Sequence, residues 1–168
     1  MLNAVKETGL RWLWLAAIAF GLDQITKQLV LKNMALYDSI QIMPLFNFTY
    51  VQNHGAAFSF LSDAGGWQRW LFTGIAIFVR VLIVWWLRQT KRDQVLLPVS
   101  FSLILGGALG NLYDRLAYGY VVDFLDVYYQ TWHWPAFNIA DCAIFLGAVG
   151  LLIDAFKNPD PIKEDDDK

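Results

Sequence analysis

The chain has 168 residues, is 57% hydrophobic and 17% charged, and carries a formal net charge of −2. A soluble domain averages about 25% charged residues, so the deficit and the long apolar runs exclude an ordinary soluble globule and indicate an integral membrane protein. The near-neutral balance gives no reason to expect nucleic-acid binding, and a lone cysteine, Cys142, excludes an internal disulfide or a zinc cluster built on thiolates.

The first apolar run, residues 12–31, follows Lys6 and Arg11. It is too long for a signal-peptide core and no small-x-small cleavage site follows it, so it is expected to stay as a transmembrane helix. Asp23 and Lys27, four apart within it, neutralise each other most simply as a structural pair. Residues 32–69 form an outer connection. There, Ser39 to Met43 and the alternation of Phe46, Phe48 and Tyr50 with Asn47 and Thr49 predict two strands of a small sheet on the membrane surface. Asn53-His54-Gly55-Ala56-Ala57-Phe58 comes next, with small residues that let backbone approach a ligand or a lipid chain; His54 is read as a solvated loop residue. Gly65-Gly66 marks a turn before the second span, residues 70–87, which contains Arg80, either snorkelling or facing a polar interior.

The third span, residues 96–112, ends in Gly106-Gly107-Ala108-Leu109-Gly110-Asn111-Leu112-Tyr113-Asp114-Arg115. Its glycines permit close helix packing. Asn111 and Arg115 share a helical face and offer an amide and a guanidinium to an extended peptide, although Asp114 and Arg115 also read as an interfacial charge pair. In the outer connection 113–138, Val121-Val122-Asp123-Phe124-Leu125-Asp126 is apolar sequence broken by acids, compatible with a helix or strand that has one wet face. Phe137-Asn138-Ile139-Ala140-Asp141 opens the fourth span, residues 139–156, where helix capping by Asn138 and Asp141 is a sufficient reason for both. Residues 158–168 form an acidic tail without apolar periodicity and are expected to be disordered.

Eight of the thirteen Lys and Arg residues flank the spans on one side, which by the positive-inside rule places both termini in the cytoplasm and both long connections outside. The expected fold class is therefore a mainly α membrane protein. Residues 1–157 form one domain of four transmembrane helices with a small β-rich outer-loop subdomain. Asp123 and Asp141 are the residues such a chain tolerates least, since a carboxylate at the bilayer centre costs roughly 2.5–3.5 kcal/mol on insertion scales. Brought together, two acids share one proton, the arrangement an aspartic hydrolase needs. A small proton- or ion-coupled transporter using the same acids as a relay is the main alternative; it favours mid-span acids and repeat symmetry, and no repeat is visible.

With these residues in view, the chain closely resembles the lipoprotein signal peptidases, or signal peptidases II, of Gram-negative bacteria. The resemblance runs through Asp23-Gln24-Ile25-Thr26-Lys27, Asn53 to Phe58, Gly106 to Arg115, Val121-Val122-Asp123-Phe124 and Phe137 to Asp141. It implies a multi-pass inner-membrane aspartic endopeptidase with no cofactor or metal and an active site near the periplasmic face. Its implied substrate is a prolipoprotein with a diacylglyceryl-modified cysteine. Membrane phospholipids and globomycin-type inhibitors are further implied partners. The resemblance implies Asp123 and Asp141 as the catalytic pair and Asn53, Gly107, Asn111, Arg115 and Asn138 as substrate-binding positions. Arg80 departs from the apolar or small polar residues usual at its position.

Overall fold

A computed structural model describes residues 7–55 and 67–158. A 3-10 turn, Gly9–Trp12, leads into α1, Leu13–Asn33. Strands β1, Ser39–Met43, and β2, Phe46–Asn53, precede α2, Gln68–Gln89, and α3, Leu96–Ala117. Strands β3, Val121–Tyr129, and β4, Trp132–His133, then precede α4, Ile139–Lys157. The Ala56–Phe58 part of the small-residue motif, the Gly65-Gly66 turn and the tail from residue 159 lie outside the described residues.

The helices are built from Leu, Ala, Ile, Val and Phe with no proline beyond a first turn. Pro98 sits in the first turn of α3, where its missing N–H has no intrahelical partner to lose. α3 and α4 are long and apolar enough, by length and composition, to cross a membrane. In α1 the apolar run is interrupted by Asp23, Gln24, Lys27 and Gln28. Burial is inverted relative to a soluble bundle: α1 turns Ile18, Leu22, Ile25 and Leu29 outward, whereas Asp23 and Lys27 are fully buried. α2 exposes Ile75, Ile77, Phe78 and Val81, and α4 exposes Phe145, Leu146 and Leu152. Apolar surface on this scale is foreign to a soluble monomer and suits a lipid solvent.

Inside the bundle, Ala16, Ile83, Leu87, Phe101 and Leu105 form one apolar cluster. A second, Val30, Tyr50, Val122 and Phe124, joins the end of α1 to the sheet. α3 runs through residue 117, five positions beyond the expected end at 112, so Asn111, Asp114 and Arg115 all stand on one continuous helix. The apolar run stops earlier because Asp114 and Arg115 are polar. Their partners are inside the protein, so the helix continues without needing lipid-compatible side chains.

The sheet is antiparallel with strand order β1-β2-β3-β4. The alternation expected in β2 does not run through. The register with β3 shifts between Phe48 and Val51, so Asn47, Tyr50 and Asn53 are the buried positions. Nor does β3 have a wet face over its first half: Val121 through Phe124 and Asp126 are buried. Phe137, just ahead of α4, is tied to β3 by backbone bonds from the Phe124 and Leu125 N–H groups to its carbonyl, at 3.0 and 2.8 Å, and from its own N–H to the Leu125 carbonyl at 3.1 Å. That bridge delivers the first turn of α4 to the strand carrying Asp123.

Candidate active site

Asn138 begins α4 with a capping box. Its Oδ1 accepts from the Asp141 N–H at 2.9 Å, and Asp141 Oδ2 accepts from the Asn138 N–H at 3.2 Å. The cap leaves the Asn138 side-chain NH2 free to face β3, where it donates to Asp123 Oδ1 at 2.6 Å. One residue therefore holds both acids, Asp141 through its backbone and Asp123 through its side chain. Asn53, turned inward at the end of β2, donates from Nδ2 to Asp123 Oδ2 at 2.9 Å.

Asp123 is 2% exposed. Burial, then the neighbouring Asp141 charge, push its pKa up to about 7, although the hydrogen bonds from Asn53 and Asn138 favour the charged form. The carboxyl therefore keeps its proton up to about neutral pH, well above an ordinary aspartate. Asp141 receives a second donor, Asn111 Nδ2 at 2.8 Å, while Asn111 Oδ1 accepts from Asn138 Nδ2 at 3.1 Å. Asn53, Asn111 and Asn138 thus frame the pair of acids with side-chain amides.

Beneath them lies a cluster the sequence did not announce. Lys27 Nζ is 2.9 Å from each of three acceptors, Asp23 Oδ2, Asp114 Oδ2 and Asn111 Oδ1. The Asp23–Lys27 pair is present as expected, but it has a third charged member. Asp114 is bound to Lys27 rather than to Arg115, which corrects the interfacial charge pair read from the sequence. Arg115 instead donates from Nη2 to the Gly55 carbonyl at 2.8 Å and from Nη1 to the Asn111 carbonyl at 3.3 Å. Gly107 packs where a side chain would strike the Ala140 carbonyl, so glycine there lets α3 lie directly against the first turn of α4.

Arg80 is buried in α2 and donates to the Ala108 carbonyl. His54 is exposed, its ring set edge-on to Tyr120. His133 Nδ1 pairs with Asp126 Oδ1 at 2.8 Å on the sheet, away from the amide frame. Among the described residues no group of His, Cys, Asp or Glu is arranged to hold a metal ion.

A cavity of about 740 Å³ opens beside Asp141. Asn53, Asn111, Arg115 and Asp141 line its polar end, and Ile75, Val79, Ile104, Ile144, Phe145 and Ala148 supply apolar wall. Such a space takes a ligand with a polar reacting group and hydrocarbon attached to it.

The family described as Signal peptidase (SPase) II matches residues 15–157. The chain belongs to that family. Membership makes it a signal peptidase, hence a hydrolase. The lipoprotein signal peptidase of Alteromonas mediterranea is 63% identical over 165 residues, covering 98% of this chain and 91% of the relative. That of Pseudoalteromonas atlantica is 61% identical over 164 residues, covering 98% and 100%. A solved structure described as a bacterial membrane enzyme superposes with a TM-score of 0.81 at 31% identity, covering 94% of each chain. The signal peptidase II fold is thus a helical membrane bundle with a small antiparallel sheet. The only sequence signal for the Lys27–Asp114 contact is the presence of four charges, Asp23, Lys27, Asp114 and Arg115, in otherwise apolar helices.

Proposed function

We propose that this protein is an aspartic endopeptidase that removes the signal peptide from prolipoproteins whose cysteine carries a diacylglyceryl group, with Asp123 and Asp141 as the catalytic pair. The observation that carries the reading is the single residue Asn138 bonded to both carboxyl groups. Two acids held this way share one proton and titrate as a unit. The ionised member takes a proton from water as it attacks the scissile carbonyl. The protonated member donates to the developing oxyanion and then to the leaving amide nitrogen. Asn53, Asn111 and Asn138 hold the pair in fixed orientation, and Arg115, which donates to the Gly55 carbonyl and lines the cavity, supports binding of an extended peptide.

The cavity supports the lipid half of the substrate. Its apolar wall suits acyl chains, and anchoring them holds the peptide bond against the acids, lowering the orientational cost of reaction. The same wall disfavours a proton relay continuing inward from Asp141. Globomycin-type inhibitors and membrane phospholipids are expected to compete for the same space.

All four helices span the inner membrane in this reading, with both termini cytoplasmic and the acids toward the periplasm. Residues 1–157 act as one domain. Inverted burial on α1, α2 and α4 and the placement of Lys and Arg support it. The test is cleavage of a diacylglyceryl-modified prolipoprotein by the purified protein in detergent, with excess chelator present. Wild type is expected to cleave, whereas Asp123→Asn and Asp141→Asn are not. Cleavage by either variant at the wild-type rate removes that residue from catalysis.

A further inference from the structure

We propose that Lys27 is a positioning residue for the two acids, setting through Asp23, Asp114 and Asn111 both where Asp123 and Asp141 stand and the charge they feel. The inference rests on the peptidase reading above. Its geometric basis is that all three Nζ hydrogens are accounted for, each by an acceptor at 2.9 Å. The two carboxylates do more than neutralise the ammonium. Asp23 Oδ1 accepts from the Ala140 N–H at 2.9 Å, and Asp114 Oδ2 accepts from the Val122 N–H at 3.0 Å. Ala140 and Val122 are the residues immediately before Asp141 and Asp123. Each catalytic acid therefore follows a backbone N–H clamped to a carboxylate that Lys27 holds in place.

The third acceptor extends the control to a side chain. Lys27 bonds the Asn111 oxygen, which turns the Asn111 NH2 toward Asp141 Oδ1. Gln24 closes the cluster, donating to Asp114 Oδ1 at 3.0 Å and to Asp23 Oδ2 at 3.2 Å. Gly110 leaves room for the Asp23 carboxylate, which a side chain at that position would meet.

Charge arithmetic separates this from a structural ion pair. Asp23 alone would neutralise Lys27 within α1. Asp114 is a second, fully buried carboxylate on the same ammonium, one more than pairing with Lys27 requires. The Lys27 charge reaches Asp123, where it favours the ionised carboxylate. Among the described residues, the ionisable groups that interact with the cluster or the pair are Asp23 and Lys27 on α1, Asp114 and Arg115 on α3, Cys142 on α4, and Tyr120 ahead of β3.

The experiment measures kcat against pH for the full chain in detergent with diacylglyceryl-modified prolipoprotein, after thermal unfolding has shown which variants fold. Lys27→Met removes positive charge, so both limbs of the profile are expected to move up by about half a unit to one unit. Asp23→Asn and Asp114→Asn remove negative charge and are expected to move both limbs down by a similar amount, while Lys27→Arg keeps them near wild type. A residue needed only for folding would lower the yield of active protein without moving the limbs, and would not give shifts of opposite sign. Unmoved limbs in the folded variants, or shifts in one common direction, overturn the inference. If Lys27→Met does not fold, the two Asn variants decide by moving down or staying put. Loss of the wild-type activity's dependence on Asp141 would sink the peptidase reading itself; a normal wild-type profile with unmoved variants sinks only the role of Lys27.

Discussion

Asp123 and Asp126 stand three residues apart on β3, both buried, and their proton affinities go opposite ways. Burial raises both. At Asp126 it is outweighed by donors: His133 Nδ1 at 2.8 Å, Thr49 Oγ1 at 2.9 Å and Asn47 Nδ2 at 3.2 Å, which together hold its carboxyl below the usual aspartate range. At Asp123 two amide donors do not offset burial and a second carboxylate, and the value rises to about 7. One strand thus carries an acid that is charged at neutral pH and holds the sheet together, and another poised to exchange a proton. Two differences separate them: Asp123 lies deeper in the protein, and its neighbour is a like charge where Asp126 has an imidazole.

Breaking the comparison at its stronger end gives the largest effect. Asp123→Asn and Asp141→Asn are each expected to lower kcat by about 10²–10⁴-fold, the range for an acid–base group, while Asp126→Asn leaves cleavage close to wild type. Comparable losses at positions 123 and 126 would erase the distinction. Next comes Gly107→Ala, whose added carbon meets the Ala140 carbonyl and pushes α3 from the turn bearing Asp141. A destabilisation of about 1–3 kcal/mol with reduced kcat is expected, read by thermal unfolding and the cleavage assay.

Much of the local architecture was legible in the sequence, because local structure follows short spacings. The Asn138–Asp141 cap is an i, i+3 pattern, and Asp23–Lys27 an i, i+4 pattern, so both are visible without coordinates. Lys27 with Asp114 joins two helices, and no spacing rule links residues that far apart in the chain. Asn53 reaches Asp123 only because β2 changes register between Phe48 and Val51, which its alternating pattern does not foretell. No spacing reveals the partners of Asp126 either, since Asn47, Thr49 and His133 come from two other strands.

Two smaller pH effects sharpen the contrast. In the proposed mechanism the pair needs its shared proton, so kcat should fall as pH rises through about 7 and the pair loses it. Asn53→Ala removes a hydrogen bond that favours the charged form, and should therefore move that alkaline limb upward. A downward move would reverse the assigned sign. Asp126 behaves the other way. A carboxyl whose folded-state value is depressed adds stability above the unfolded value of about 3.9 and loses it as pH falls through its folded value. Thermal unfolding should show this contribution constant from pH 8 to about 5 and fading below about 4, with a smaller loss in His133→Ala.

The most direct measurement is the infrared spectrum of the protonated carboxyl between pH 5 and 9, taken as wild type minus Asp123→Asn. A C=O stretch present at pH 5 that disappears as pH rises through about 7, and disappears at lower pH in Asp141→Asn, is the predicted result. A carboxyl at position 123 already fully ionised at pH 5, or one whose titration ignores the loss of Asp141, would contradict a proton shared between the two acids.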